Sequence, residues 1–339
     1  MSQSLEQFSF SDYWIIKHNM PELPEVQTTV TGLTRTIVGL KIVDVWSDYN
    51  KHDTAFLSEL KSAVIGRKIS SVTRRAKNVL IHLENATILV HMKMTGHLLY
   101  GLYEFTGGKS GGTSKENRPI EMSSKDPWIP IEPEAMKDPY NRHVHFVISF
   151  SNGRQLALSD VRKFAKVVLL DDTNFLESTH LKHLGPEPLE PTFTFTNFLA
   201  RLKMRPHGKI KQVLMDQTVL SGIGNIYADE TLWLAGIHPT KRVEDLFTRG
   251  KNSLGKPRPC LGTLFKAIKS LLTKGVKLGG DSMSDYRNVD GEKGEFQLQH
   301  HAYQKTGQRC DKKGCGGTIV RIKLGGRGTH FCNKHQRLV

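Results

Sequence analysis

HLGPEPLEP, residues 183–191, marks the point at which the chain changes period. Upstream of it, apolar residues alternate. Val79, Ile81 and Leu83 interleave with Leu80, His82 and Glu84, and Ile88, Val90, Met92 and Met94 repeat the period of two. Glu84-Asn85 makes the turn between the two runs, and further strands are predicted at 144–150, 155–158 and 166–170. A helix is expected ahead of them, soon after Met20. Downstream the spacing is helical at 209–215, 225–235 and 261–272, where Leu261, Leu264, Phe265, Ile268, Leu271 and Leu272 form one apolar stripe. The pattern predicts an antiparallel β-sandwich followed by a helical unit. Between strands, residues 101–142 turn to Gly, Ser, Lys and Pro, as in GGKSGGTSKENRP (107–119), the composition of a long mobile loop. Residues 279–300 read as a second loop.

The 339 residues suffice for two or three domains with cores of their own. Forty-eight Lys+Arg against 33 Asp+Glu leave a net charge of +15. Such an excess favours a polyanionic partner, because neutralising phosphates releases counterions. An anionic membrane surface would attract the same charge, but no stretch approaches the roughly 20 apolar residues of a span. Residues 1–19 lack the basic start and long apolar run of a signal peptide. Only four cysteines occur, three of them in the last 30 residues, unlike a secreted disulfide scaffold. A reducing, cytoplasmic setting is expected.

The tail supplies a metal site. Cys310 and Cys315 are separated by four residues, Cys332 and His335 by two, and 16 residues lie between the pairs. Zn²⁺ takes four tetrahedral N/S ligands, and two short-spaced knuckles provide them. With all four positions filled by protein, the site is structural and holds one Zn²⁺. Cys260 lies apart and reads as a buried thiol.

LSGIGNIYADE (220–230) places Gly222, Gly224 and Asn225 directly before a helix. Two readings stand side by side. The turn is a tight interhelical connection with Asn225 as N-cap, or its free N–H groups and the Asn225 amide face a phosphate. MPELPEV (20–26) also has two readings. PELPE starts a helix, with Pro at its first position and acids favouring the dipole. Alternatively, with Met20 removed, Pro21 offers a free secondary amine. An α-amino group has a pKa of about 7.7–8.0, against about 10.4 for Lys, so more of it is neutral and nucleophilic at pH 7. Condensed with an aldehyde-level carbon it gives a cationic iminium, and Glu22 and Glu25 stand near as acid and base.

MPELPEVQTTVTGL resembles the start of the bacterial formamidopyrimidine-DNA glycosylases, a family that includes the endonuclease VIII type. The resemblance continues through RRAKN (74–78), HMKMTGHL (91–98), SDVRKFAK (159–166), HLGPEPL (183–189), LMDQTVLSGIGNIYADETLWLAGIHP (214–239), GGDSMSDYR (279–287), AYQKTGQRC (302–310) and RGTHFC (327–332). PELPEV rather than PEGPE favours the formamidopyrimidine branch. The resemblance implies an α+β, multidomain fold: an N-terminal antiparallel β-sandwich with flanking helices, a helix–two-turn–helix domain and a C-terminal zinc finger. The expected boundaries are 1–19 for an extension, 20–180 for the catalytic domain, 181–295 for the helix–two-turn–helix domain and 296–339 for the finger. It implies a DNA glycosylase/AP lyase of base excision repair that removes oxidised purines and nicks the strand by β,δ-elimination. Its partner would be duplex DNA carrying oxidised bases or abasic sites, met by a monomer at the nucleoid.

By that likeness Pro21 is the Schiff-base nucleophile, Glu22 the proton donor, Lys77 an aid to β-elimination and Arg327 to δ-elimination. His143, Arg162 and Asn225 touch DNA, and Met94, Arg162 and Phe164 fill the gap left by the extruded base. The 279–287 loop covers that base. The chain departs from the family in its 19 residues before Met20, which suggest an upstream start codon, and in the length of the 101–142 loop. His335 stands where Cys is usual, the first knuckle is wide, and Lys163 replaces a common Arg. The same chemistry on oxidised pyrimidines, or a relative that binds lesions without cutting, are the competing functions.

Overall fold

The computed structural model describes residues 20–49, 54–106, 127–171, 174–249 and 254–338. The 1–19 extension and the centre of the 101–142 loop lie outside these. Helix α1 (Leu23–Ile37) starts from Glu22, its N-cap, with Pro24 in the first turn. PELPE thus starts the helix as read, with the correction that Pro24 rather than Pro21 lies in its first turn and Pro21 stands outside it. Leu23, Val26, Val30, Leu33 and Ile37 line the buried face of α1. Strand β1 (Ile42–Ser47) and helix α2 (Thr54–Val64) follow, then β2 (Ser71–Arg75), β3 (Asn78–His82), β4 (Ala86–His91), β5 (His97–Phe105), β6 (Trp128–Glu132), β7 (Val144–Phe150), β8 (Gln155–Ser159) and β9 (Lys166–Asp171).

These strands form two antiparallel sheets, ordered β1-β7-β8-β5-β6 and β2-β3-β4-β9. Between the sheets, Val79, Ile81, Ile88 and Val90 meet Leu98, Phe146, Ile148, Leu156 and Leu158. The period of two places that set on one face, as the alternation requires. The opposite face of the smaller sheet is also buried, with Leu80 and Leu89 packed on Leu170 and Leu181. The alternation ends sooner than expected. Lys93 takes a φ of 58°, in the left-handed region, so β4 stops at His91 and Met94 sits in a turn.

The long-loop reading is also corrected at both ends. Residues 102–105 pair with 128–132, and short 3₁₀ turns occupy Glu134–Lys137 and Pro139–Asn141. Trp128 and Met136 join Leu99, Tyr103 and Val147 in a second apolar cluster on the outer face of the five-stranded sheet. Averaged composition hid these few apolar residues among the Gly, Ser and Pro around them.

The helical unit comprises α3 (Phe195–Lys203), α4 (Ile210–Met215), α5 (Asn225–Ala235), a small hairpin β10 (Phe247–Arg249) and β11 (Leu254–Pro257), and α6 (Pro259–Lys277). The α6 stripe packs as its spacing requires, with Phe265 at the edge. Helix α5 has no polar face, since residues 226–233 are all buried. It carries Asp229 and Glu230 inside, and both hold the last module. The Asp229 carboxylate pairs with Lys211 (2.7 Å) and accepts the His330 N–H (2.9 Å), while Glu230 accepts the N–H groups of His301, Ala302 and Tyr303 at 2.8, 2.9 and 2.7 Å. Both acids lie at 1 % exposure or less, where a charge persists only if paired and hydrogen-bonded.

The module is a hairpin, β12 (Ile319–Leu324) and β13 (Arg327–Cys332), turned by Gly325 and Gly326, both with positive φ. The ligand atoms of Cys310, Cys315, Cys332 and His335 lie within 4.8 Å of one another. His335 Nε2 contacts the Trp233 carbonyl at 3.0 Å, which leaves Nδ1 3.5 Å from the sulfurs of Cys310 and Cys315. Tetrahedral Zn²⁺ with bonds of about 2.0–2.3 Å separates its ligands by about 3.5–3.8 Å, so this set fits one structural ion with no open position. No helix among the described residues is long and apolar enough to cross a membrane.

At the junction of α1, α5 and the 279–300 loop sits Glu25. Its carboxylate accepts from Tyr227 OH (3.0 Å), Asp281 N–H (2.7 Å) and Glu22 N–H (2.7 Å). Burial, then the charges of Glu22 and of Asp281, itself paired with His300, push its pKa up to about 8. The folded protein thus binds this proton more tightly than the unfolded chain. The stabilising contribution is whole below the ordinary value and is lost as pH rises through about 8. The thermal midpoint should fall between about pH 5 and 8, and Glu25→Gln should flatten that fall. Equal slopes in both proteins would assign it to another group. For the metal, elemental analysis should find one zinc per chain, and chelation should weaken DNA binding by releasing the hairpin that carries Arg327. Unchanged binding after verified zinc loss would separate the hairpin from the DNA contact.

Candidate active site

A cleft of about 830 Å³ runs between the sandwich, the helical unit and the finger, lined by Met20, Glu22, Lys77, Met94, Arg162, Asn225 and Arg327 among others. Met20 and Glu22 share one segment, and the others arrive from separate parts of the chain, at turns held by a carboxylate or a glycine.

Glu22 comes first because its position sets the rest. Its carboxylate accepts N–H groups from Gly224 (2.6 Å), Ile226 (2.8 Å) and Tyr227 (3.4 Å), the free donors at the start of α5. The LSGIGN turn therefore does bind an anion, but that anion is the protein's own. The expectation of a phosphate on those N–H groups is corrected. Gly224 is required here: a Cβ would stand 2.5 Å from the Glu22 carboxyl carbon and 2.7 Å from Lys77 Nζ. Gly222, at φ +87°, passes its carbonyl to Leu23 N–H (3.0 Å) and so wraps the chain that carries Pro21. Burial pushes the Glu22 carboxyl above its ordinary value, while Lys77 and the three N–H groups oppose the shift.

Lys77 occupies a two-residue turn between β2 and β3 with Ala76 at φ 55°. Glu187, from the HLGPEPLEP linker, holds that turn. It accepts Ala76 N–H (2.5 Å) and pairs with Arg74 (2.6 Å) and Arg75 (3.1 Å). Lys77 is 4 % exposed, and burial lowers its pKa from the ordinary lysine value, with Glu22 opposing and Arg327 adding to the shift. A less protonated amine beside a carboxyl whose affinity for protons is raised makes a pair that can exchange a proton.

On the far lip, Arg162 Nη1 contacts Met94 Sδ (3.3 Å), and the guanidinium lies 4.5 Å from the centre of the Phe164 ring. The three form one cluster in which Met94 and Arg162 are half-buried and Phe164 is exposed, although Phe164 faces a neighbouring hollow rather than the cleft itself. Buried Asp160 fixes both turns by accepting from Thr95 Oγ1, Arg162 N–H (3.2 Å), Ala165 N–H (2.7 Å) and Tyr49 OH (3.1 Å). His143 is not among the cleft-lining residues. It precedes β7, and its carbonyl accepts Asp160 N–H at 2.8 Å.

Asn225 is the first residue of α5, and Gly224 is the N-cap, so the N-cap reading of Asn225 is corrected. Its Oδ1 is buried without a hydrogen-bond partner. Arg327 enters from the finger at the start of β13. Neither Asp160 nor Glu187 was singled out from the sequence. Each lies inside a quoted motif, but only the contacts reveal its task.

Three segments of the chain match known families: the formamidopyrimidine-DNA glycosylase N-terminal domain over residues 20–167, the formamidopyrimidine-DNA glycosylase H2TH domain over 184–287, and a zinc finger found in FPG and IleRS over 307–334. The formamidopyrimidine-DNA glycosylase of Herpetosiphon aurantiacus is 36% identical over 319 residues, covering 92% of this chain and 98% of that protein. That of Bacillus subtilis is 33% identical over 320 residues, covering 94% and 99%. Among solved structures, Lactococcus lactis Fpg in complex with abasic-site DNA aligns with a TM-score of 0.73 at 31% identity, covering 93% of this chain and 99% of that one. MutM in complex with carbocyclic 8-oxo-G DNA aligns with a TM-score of 0.73, also at 31% identity, covering 94% and 100%. The ordered matches and the near-complete relatives agree with the cleft built at Glu22: the chain belongs to the formamidopyrimidine-DNA glycosylase family.

Proposed function

We propose that the protein is a bifunctional DNA glycosylase/AP lyase of base excision repair, acting on oxidised purines such as 8-oxoguanine and formamidopyrimidines in duplex DNA. The convergence of Glu22, Lys77 and Arg327 on one cleft, beside the residue that follows Met20, carries this reading. A base inside a duplex is out of reach and must be extruded, at a cost of a few kcal/mol. Met94, Phe164 and Arg162 form the wedge that enters the vacated space, with Arg162 donating to the orphaned partner base. Asn225 and His143 hold the backbone on either side. The enzyme works as a monomer in the cytoplasm, at the nucleoid.

With Pro21 as first residue, its nitrogen attacks sugar C1′ and the glycosidic bond breaks; the electron pair leaves with the base, which takes up the proton that the Pro21 nitrogen gives up. Glu22 protonates the ring oxygen, the ring opens and an iminium forms between Pro21 and C1′. The iminium accepts the electrons freed when a proton leaves C2′, and the 3′ phosphate departs. Lys77 assists that step, and Arg327 supports departure of the 5′ phosphate in the second elimination. The zinc takes no part in bond making; its four ligands fix the hairpin.

Asn225→Ala should weaken binding to damaged and undamaged duplex alike and reduce the salt dependence, because a phosphate contact carries no base information. A change confined to lesion preference would place Asn225 on a base instead. Glu22→Gln should lower base excision by about 10²- to 10⁴-fold, the usual worth of a positioned proton donor, and lower binding far less. The decisive test uses one substrate and one buffer for two N-termini. Protein beginning at Pro21 should be trapped on 8-oxoguanine duplex by borohydride, and protein retaining residues 1–19 should not. A Pro nitrogen acylated by Met20 is a tertiary amide with no lone pair free for C1′. Equal trapping, with mass spectrometry confirming that residues 1–19 are still attached, would assign the nucleophile to another amine. Preferential excision of oxidised pyrimidines would move the substrate class.

A further inference from the structure

Arg287 is among the largest fully buried side chains in the protein, at 1 % exposure, and the chemistry above gives it no task. Its Nε and Nη2 both donate to Asp138 Oδ2, at 3.1 and 3.0 Å. Its Nη1 donates to the carbonyls of Ser284 and Tyr286, both at 2.9 Å, and the guanidinium lies 4.8 Å from the Tyr140 ring centre. One side chain thus ties the backbone of the 279–287 loop to the turns at 134–141. Those turns lie in the segment between β6 and β7.

Two further contacts make the attachment continuous. Buried Asn141 donates through Nδ2 to the carbonyls of Ala135 (3.1 Å) and Gly291 (3.5 Å), and its Oδ1 meets His97 Nε2 at 2.9 Å. Gly291, at φ +87°, approaches so closely that a Cβ would stand 2.9 Å from the Ala135 carbonyl. Just before it, Val289 is buried in the sandwich core and accepts Tyr100 N–H at 2.7 Å. At its other end the loop is fixed by Asp281 N–H on Glu25. The stretch between these anchors is short, and within it Met283 is the exposed residue, at 40 %.

We infer that Asp138, Tyr140 and Arg287 form a clamp by which the 134–141 turns set the position of the 281–285 loop tip, making Asp138 and Arg287 positioning residues for selection of the extruded base. The inference rests on the reading that this loop covers that base. A buried guanidinium holding four hydrogen bonds and a ring face has one geometry. Removing its carboxylate leaves a buried charge unpaired, so the loop backbone must shift to hydrate it. Small displacements at a binding surface are costly, since a shift of about 1 Å can reduce turnover by about a hundredfold.

The test compares two reactions of the full-length enzyme beginning at Pro21. Excision of 8-oxoguanine requires the base to be held, whereas nicking at a preformed abasic site does not. Asp138→Ala should slow single-turnover excision by about tenfold or more and leave abasic nicking unchanged. Arg287→Ala should do the same, and the double variant should be no worse than the poorer single, because the pair acts as one unit. Should Asp138→Ala not fold, the isosteric Asp138→Asn gives the same comparison. Equal loss in both reactions would mean that the pair only supports the fold, and would overturn the inference. A loop-tip variant, Met283→Ala with Ser284→Gly, separates the two ways of failing. If it slows excision while Asp138→Ala does not, the clamp is wrong and the covering loop stands. If neither slows excision, the covering loop is wrong and the clamp falls with it.

Discussion

The Glu22 carboxylate on the first turn of α5 is the contact on which the rest depends. It joins residues about two hundred positions apart, at 2.6 and 2.8 Å, with both partners out of solvent. A lone buried carboxylate would cost several kcal/mol, and α5 without a partner would leave its first N–H groups unsatisfied. Each defect cures the other. Because Glu22 is the N-cap of α1 and follows Pro21 directly, the same contact fixes where the chain before α1 must lie. Gly222 and Gly224 are needed because that chain and the carboxylate occupy the space a side chain would take.

The other turns of the cleft follow a common scheme. Among the described residues four non-glycine residues adopt positive φ, and three of them, Ala76, Lys93 and Lys163, are neighbours in sequence of Lys77, Met94 and Arg162. Such backbone is worth of order 1 kcal/mol of strain or more each and persists where the surroundings over-determine it. Glu187 over-determines the Lys77 turn, and Asp160 the turns of Met94 and Arg162. The strain aims long side chains into the cleft from a sheet edge, where regular pairing would have pointed them at the core or away. Asp229 and Glu230 do for the finger what Glu187 does for the turn. A small module with little core of its own is placed by charge-assisted hydrogen bonds to a helix that is buried on every side.

What the sequence revealed was set by range. Period-two and helical spacing are local, so β3, β4, β7, β8, β9, α5 and α6 were legible, and so were four metal ligands set by two short knuckles. The β6 strand was not, because its few apolar residues are embedded in a Gly- and Ser-rich stretch. Helix α3 has helical spacing at Phe195, Phe198, Leu199 and Leu202, but it spans only nine residues, and Thr194, which caps it by accepting Asn197 N–H, is an ordinary turn residue by composition. The anion site was legible as a site, from Gly-x-Gly-Asn before a helix, but its occupant was not. Nothing near residue 224 says that the anion arrives from residue 22. Family likeness named Glu22, Lys77, Met94, Arg162, Asn225 and Arg327, which line the cleft, together with Pro21, His143 and Phe164, which are not among its lining residues. The acids that hold them, buried Asp160, Asp229 and Glu230 and the partly buried Glu187, became visible only when both ends of each contact were present.

Occupation of α5 by Glu22 limits how Asn225 could make the proposed phosphate contact. A helix start offers one compact set of N–H groups, and here three of them are spent on a carboxylate, so a DNA phosphate cannot take that place. Asn225 stands at the edge of it, with an amide oxygen that has no partner in the protein. A phosphate held there by the amide hydrogens would lie close to Glu22 and add a second negative charge beside a carboxyl that is already buried. Like charge raises a carboxyl's affinity for its proton. Burial acts in the same direction on Glu22, and Lys77 acts against it. Docked DNA would therefore tip the balance toward a protonated Glu22, the state a donor to the sugar ring oxygen requires. In the proposed arrangement the contact that positions the backbone would act on the Glu22 carboxyl in the same direction as burial, and Lys77 would act against both.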